Sequence, residues 1–186
     1  MPAHEILGKW ENFYVIVGSS AGALTGLLFV VIAIVADRPG TGGHQEIGAF
    51  ATPNVVHFMA VLFLGALISA PWEELGHAAI VLGAFGLIGV IYTVVVTKRA
   101  SSTRRYKPVL EDWIFHSVLP LAAYLLVLGA ALTLNRFDTP ALFAIATASL
   151  LLLVVGVHNA WDTVTYIALD MGRQEGSQPN APPADQ

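Results

Sequence analysis

The chain has 186 residues, of which 55% are apolar and only 12% charged, and its mean hydropathy is positive. Soluble domains are rarely built this way, so lipid is the expected solvent over much of the surface. The net charge of −4 resides in short connections and tails and suggests no nucleic-acid partner, while the absence of cysteine excludes disulfides, thiolate metal sites and cysteine nucleophiles.

The N-terminus lacks the basic n-region and small-residue cleavage site of a signal peptide, so the first apolar segment is expected to be retained. Five stretches contain no Asp, Glu, Lys or Arg: Phe13 to Ala36, Ile47 to Trp72, Leu75 to Thr97, Trp113 to Asn135 and Thr139 to Trp161. A helix needs roughly 20 apolar residues to cross a hydrocarbon core of about 30 Å, and each stretch exceeds that. None alternates with the period of a barrel strand. The expected fold is therefore all-α, a polytopic membrane bundle of five transmembrane helices.

Span one, about 13–36, carries Gly18, Gly22 and Gly26 at four-residue spacing, a stripe that lets helix backbones approach in lipid, within the bundle or between copies. Residues 18–22 also match the G-x-S-x-G nucleophile pattern, but such a serine needs a strand-to-helix elbow and this run lies within a helical span. Span two, about 50–70, is expected to begin with Thr52 as N-cap and Pro53 as first helical residue; it carries Asn54 and His57 and closes at Pro71. Span three, about 75–97, opens with Glu73 and Glu74, which suit the positive end of a helix dipole, and holds a second stripe, Gly83, Gly86 and Gly89. Glu73 and His77 are four apart near the interface, where solvation is the favoured reading.

Span four, about 111–134, opens with Glu111 and Asp112 and contains His116 and Pro120, a proline expected to free the carbonyl of His116. Span five, about 140–166, starts at Thr139-Pro140 and ends through His158, Asn159 and Asp162. Residues 1–170 then form one membrane domain, and 171–186, rich in Gly, Pro, Gln and Asn, read as a disordered cytoplasmic tail.

Five spans place Lys9 and Arg136 on one side and Arg38, Lys98, Arg99, Arg104, Arg105, Lys107 and Arg173 on the other. Basic residues are retained in the cytoplasm, so the N-terminus faces outward and the C-terminus inward. Trp10 and Trp72 fall at outer span ends, Trp113 and Trp161 at inner ends, which is where tryptophan prefers to lie. A basic inner loop and a short chain fit the plasma membrane of a bacterium.

This orientation gathers Asn54, His57, Asp112, His116, His158, Asn159 and Asp162 in the inner half of the membrane. Asp112 with His116, and His158 with Asp162, are four apart and share a helix face. Asp162 lies near the negative end of its helix and asks for a partner, the nearest by spacing being His158. The layer can be ordinary interhelical hydrogen bonding and boundary solvation. It can equally be a proton relay or pH gate, or a haem or divalent-metal site at His57, His116 and His158, although no multi-ligand motif such as HExxH is present.

The opening Trp10-Glu11-Asn12-Phe13-Tyr14, followed by Gly18, Ala21, Leu24-Thr25-Gly26-Leu27 and Phe29-Val30, resembles a family of small uncharacterised bacterial multi-span membrane proteins, some of which are labelled "modulator of FtsH protease". The resemblance is confined to the first span, carries no functional residue, and implies a regulatory partner of a membrane-bound AAA protease. Without a soluble domain, nucleotide motif or catalytic set, the sequence favours a non-enzymatic protein. Such a protein acts through the lipid bilayer on other membrane proteins or on further copies of itself; a proton-sensitive channel or carrier is the alternative.

Overall fold

The computed structural model describes residues 2–36, 43–102 and 110–176; the side chains of 35–36, 43–53, 100–102, 112 and 166–176 are outside that description. Every described element is helical. A short α1 (Ala3–Gly8) leads into α2 (Glu11–Ala36), followed by α3 (Gly43–Ser69), α4 (Leu75–Ser102), α5 (Leu110–Trp113), a π-helical turn (Ile114–Val118), α6 (Leu119–Thr133) and α7 (Asp138–Gly176). Four helical segments are long and apolar enough to cross a membrane: Glu11–Ile34, Leu75–Arg99, Ile114–Thr133 and Asp138–Thr165. In α3 the described side chains contribute a shorter apolar run, Asn54–Ser69.

The outward faces carry Ile16, Leu27, Phe29, Ile80, Ile88, Leu132 and Phe143, each more than half exposed. A soluble monomer rarely shows contiguous apolar surface beyond a few hundred Å². Such faces are what lipid would cover.

Helix boundaries differ from expectation in three places. The α3 backbone is helical from Gly43 and passes straight through Pro53, so Thr52-Pro53 is not a helix start. Within a helix the proline forfeits one bond, to the carbonyl of Ala49, a loss that spanning helices tolerate. α7 begins at Asp138, whose carboxylate accepts from the backbone N–H and hydroxyl of Thr139; Pro140 then sits in the first turn, where its missing N–H costs nothing. At its far end α7 continues to Gly176, so 171–176 is helical rather than tail. Its 39 residues reach about 58 Å, nearly twice a hydrocarbon core, and only part can lie in lipid. Residues 177–186 and the loop with Arg104, Arg105 and Lys107 lie outside the described residues.

The helices are not packed in sequence order. Each packs chiefly on its neighbours in the spatial order α2, α3, α7, α6, α4, while consecutive α3 and α4 barely meet. α7 takes the middle and presents one continuous apolar face to its neighbours: Leu142, Ile145, Ala148, Leu152 and Val155, at spacings of three and four, are fully enclosed. At one end an aromatic cluster joins α2 to α7, with Trp10 edge-on to Phe13 and to Phe143. Trp72 at the same end donates its indole N–H to the carbonyl of Leu67 at 2.6 Å.

Close approach is set by glycine, at positions only partly anticipated. A β-carbon on Gly86 would lie 2.8 Å from the backbone nitrogen of Leu128, one on Gly89 would enter the Tyr124 ring, and one on Gly83 would meet Ala131 at 3.7 Å. The span-three stripe is thus the α4–α6 contact. On α2, Gly18 faces Gly65 and Gly22 faces Leu62, both at 3.9 Å, whereas no described residue lies within 4 Å of a β-carbon on Gly26. Gly65 and Gly156, absent from both stripes, receive Tyr14 and Phe58 respectively.

Candidate functional site

The bundle interior divides into two halves. Toward Trp10 and Trp72 it is closed by Val61, Leu64, Ile68, Val127, Leu134, Leu142 and Ile145. Toward the other end Asn54, His57, Tyr124 and Asn159 are all buried, with half-buried His116 beside them. The buried aliphatic hydroxyls Thr25, Thr93 and Ser149 are no burden, since each donates to the carbonyl four residues back. Amides and imidazoles cannot satisfy themselves that way. They need partners from other helices or a guest.

The π turn organises this half. The Leu119 N–H is taken by the carbonyl of Ile114, five residues back. The Phe115 carbonyl therefore loses its α-helical donor, and its π-helical donor would be Pro120, which has no N–H. Asn159 of α7 fills the gap, donating from Nδ2 to the Phe115 oxygen at 3.5 Å. With Leu119 taken by Ile114, Pro120 leaves the Phe115 carbonyl without a helical donor, a carbonyl that four-residue spacing alone did not point to.

Three consecutive residues of the turn engage three different parts of the bundle. The Phe115 ring stacks on His158 of α7 with centroids 3.6 Å apart. Ser117 accepts from the Thr97 hydroxyl of α4 at 3.1 Å. His116 lies within electrostatic reach of His57 on α3. His57 Nδ1 is 3.3 Å from the Tyr124 hydroxyl, which donates or accepts according to the imidazole tautomer.

At the rim, His158 Nε2 is 3.2 Å from Asp162 Oδ2, the pairing expected from four-residue spacing, and 3.6 Å from Glu111 Oε1, a contact spacing could not reveal. Both carboxylates are more than half exposed. Exposed pairs contribute little, so Glu111→Gln and Asp162→Asn are each expected to change unfolding stability by less than about 1 kcal/mol, measured by thermal or denaturant unfolding in micelles. The Asp112–His116 pairing falls outside the described side chains.

The expected site residues therefore gather, but in two tiers. Asn54, His57, His116 and Asn159 form a buried tier, whereas His158 and Asp162 form a partly exposed rim. Tyr124, Glu111 and Phe115 belong with them and were missed: Tyr124 lies about two turns beyond His116, and Glu111 is four residues before Phe115. Among the described residues, no three His, Asp or Glu side chains are grouped so as to hold a metal ion.

A different feature marks the opposite end, where a groove of about 650 Å³ between α4 and α6 is flanked by Glu74, His77 and Asn135 and floored by Gly83 and Ala131. His77, for which solvation near the interface was the favoured reading, lines this open groove together with Glu74.

Comparison with known proteins finds no family model, no curated protein and no solved structure that matches this chain.

Proposed function

We propose that the chain is an integral protein of a bacterial plasma membrane, crossing it five times with the N-terminus outside, and that it works without chemistry of its own as a regulatory or interaction partner of other membrane proteins. Four apolar helices and the 27-residue α3, about 40 Å long, support the span count. The two-against-seven division of Lys and Arg supports the orientation.

The observation that carries the regulatory reading is the position of His158. One imidazole from α7 is held by the ring of Phe115 and the carboxylates of Glu111 and Asp162, while its neighbour Asn159 occupies the Phe115 carbonyl. The inner end of span four is thus tied to α7 through two adjacent residues. Whatever alters His158 alters how those two helices meet.

His158→Phe keeps a ring against Phe115 and removes both carboxylate contacts. Affinity purification from cross-linked native membranes is expected to recover one membrane complex with the unchanged protein and several-fold less of it with His158→Phe. A membrane-bound AAA protease is the first partner to look for, given the resemblance over residues 10–30. Recovery of no specific complex contradicts this reading.

The rival reading, a proton-sensitive channel or carrier, draws on the gradation from exposed Glu111 and Asp162 through His158 to buried His57. The apolar packing beyond Tyr124 opposes through-conduction, so proteoliposomes under a proton gradient are expected to show no flux above protein-free vesicles. A flux abolished by His158→Ala or Asp162→Ala would establish the rival. A Soret band or stoichiometric metal in purified protein would instead mark the haem or metal alternative at His57, His116 and His158.

A further inference from the structure

Four atoms in the buried tier have no hydrogen-bond partner among the described residues: both amide atoms of Asn54, Nδ1 of His116 and Oδ1 of Asn159. Asn54 is 0% exposed and Asn159 1%. Contacts along the helices place these residues together. Phe58 packs on Gly156, while toward the other end Trp10, just before α2, meets Phe143 and Gly18 of α2 meets Gly65, so α3 and α7 run antiparallel. One turn below the Phe58–Gly156 contact, Asn54 comes level with Asn159. His57, three residues from Asn54 and on the same helix face, lies within electrostatic reach of His116, and His116 follows the residue whose carbonyl Asn159 holds.

We propose that Asn54, His116 and Asn159, with His57 and Tyr124 at the edge, form an internal site for a small uncharged hydrogen-bonding ligand, occupied at rest by water. The proposal rests on the reading that this half of the bundle lies within the bilayer. Each orphaned buried polar group would cost about 1–3 kcal/mol, too much for three residues in one layer to go without a guest. The atoms on offer suit water, which donates and accepts: Asn54 Nδ2 can only donate, Asn54 Oδ1 and Asn159 Oδ1 can only accept, and His116 Nδ1 does either according to tautomer.

Charge argues against an ionic guest. No Asp, Glu, Lys or Arg is among the buried described residues, and Glu111 and Asp162 point into the exposed rim. Among the described residues a dehydrated ion would find no fixed counter-charge in the buried tier, a penalty of several kcal/mol. The site is also confined to one side, because Phe58, Val61 and Leu64 close it toward the middle of the bundle.

The test is hydroxyl-radical footprinting of the full chain in lipid nanodiscs, with residue-level readout. Bound water converts to radical in place, so a buried residue beside water is labelled and one in dry packing is not. His57, His116 and Tyr124 are expected to label about tenfold more than Phe58 and Leu64 after correction for intrinsic reactivity, although His57, Tyr124, Phe58 and Leu64 are all nearly inaccessible. Asn54→Leu is expected to reduce labelling of His57 and His116 several-fold.

Labelling of His57, His116 and Tyr124 as low as that of Leu64 overturns the water site and leaves the membrane reading standing. Equally heavy labelling of Phe58 and Leu64 overturns the membrane placement itself. Protection of His57 and His116 when chloride replaces gluconate overturns the uncharged class in favour of an anion.

Discussion

Gly86→Val is expected to cost about 3 kcal/mol of unfolding stability, a loss at the upper end of what overpacking usually produces. The reason is what the new side chain meets. A β-carbon at Gly86 falls 2.8 Å from the nitrogen and 3.0 Å from the α-carbon of Leu128, so no rotamer change relieves it and α4 must move off α6. Gly89→Ala acts differently, because the obstructing group is the Tyr124 ring, which can swing only by leaving His57. Gly26→Ala is the control: nothing lies within 4 Å, and alanine's better helix propensity, about 1 kcal/mol in soluble hosts, makes it neutral or mildly stabilising. Denaturant titration of the three variants in micelles checks the ranking.

The second large effect concerns the proline and the π turn. Asn159→Leu is expected to cost about 1–3 kcal/mol, because the Phe115 carbonyl then has neither a helical donor nor a side-chain donor. Pro120→Ala restores an N–H at the position that would serve that carbonyl. The double variant is therefore expected to regain most of the loss, leaving a coupling energy above about 0.5 kcal/mol in a double-mutant cycle. Additive losses would mean that Asn159 matters for something other than the freed carbonyl.

These two cases also mark how far the sequence could be read. Apolar runs, basic asymmetry and tryptophan positions are one-dimensional quantities, so α2, α4, span four and α7 were legible as long apolar helices within a few residues. Pro53 was misread because a proline after threonine suits a helix start and a spanning helix alike; only tertiary context chooses. The π turn was not legible, since local spacing assumes 3.6 residues per turn and one inserted residue leaves the Phe115 carbonyl without its helical donor. Spatial order was not legible either. α7, last in the chain, lies between α3 and α6, and this is what brings Asn159 to the Phe115 carbonyl and His158 to Glu111.

The candidate site shows the same division. His158 with Asp162 followed from spacing on one helix. The buried tier required knowing which helices face each other, and Tyr124 enters it only because Gly89 leaves room for its ring. Gly26 was grouped with Gly18 and Gly22 by periodicity alone, yet four-residue spacing cannot tell which glycines of a stripe meet a neighbour; no described residue lies within 4 Å of a β-carbon on Gly26.

The account rests most heavily on α3 crossing the bilayer, since every later element changes side if it does not. The chain has no cysteine, so single cysteines can be placed at Gly8, Glu74, Asn135, Glu111 and Asp162 and labelled with a membrane-impermeant maleimide in intact spheroplasts and in inverted vesicles. Gly8, Glu74 and Asn135 are predicted to label in spheroplasts only, and Glu111 and Asp162 in inverted vesicles only. If Glu74 and Asn135 label from the side opposite Gly8, α3 does not cross, and the shared inner layer of His57, His116 and His158 is contradicted.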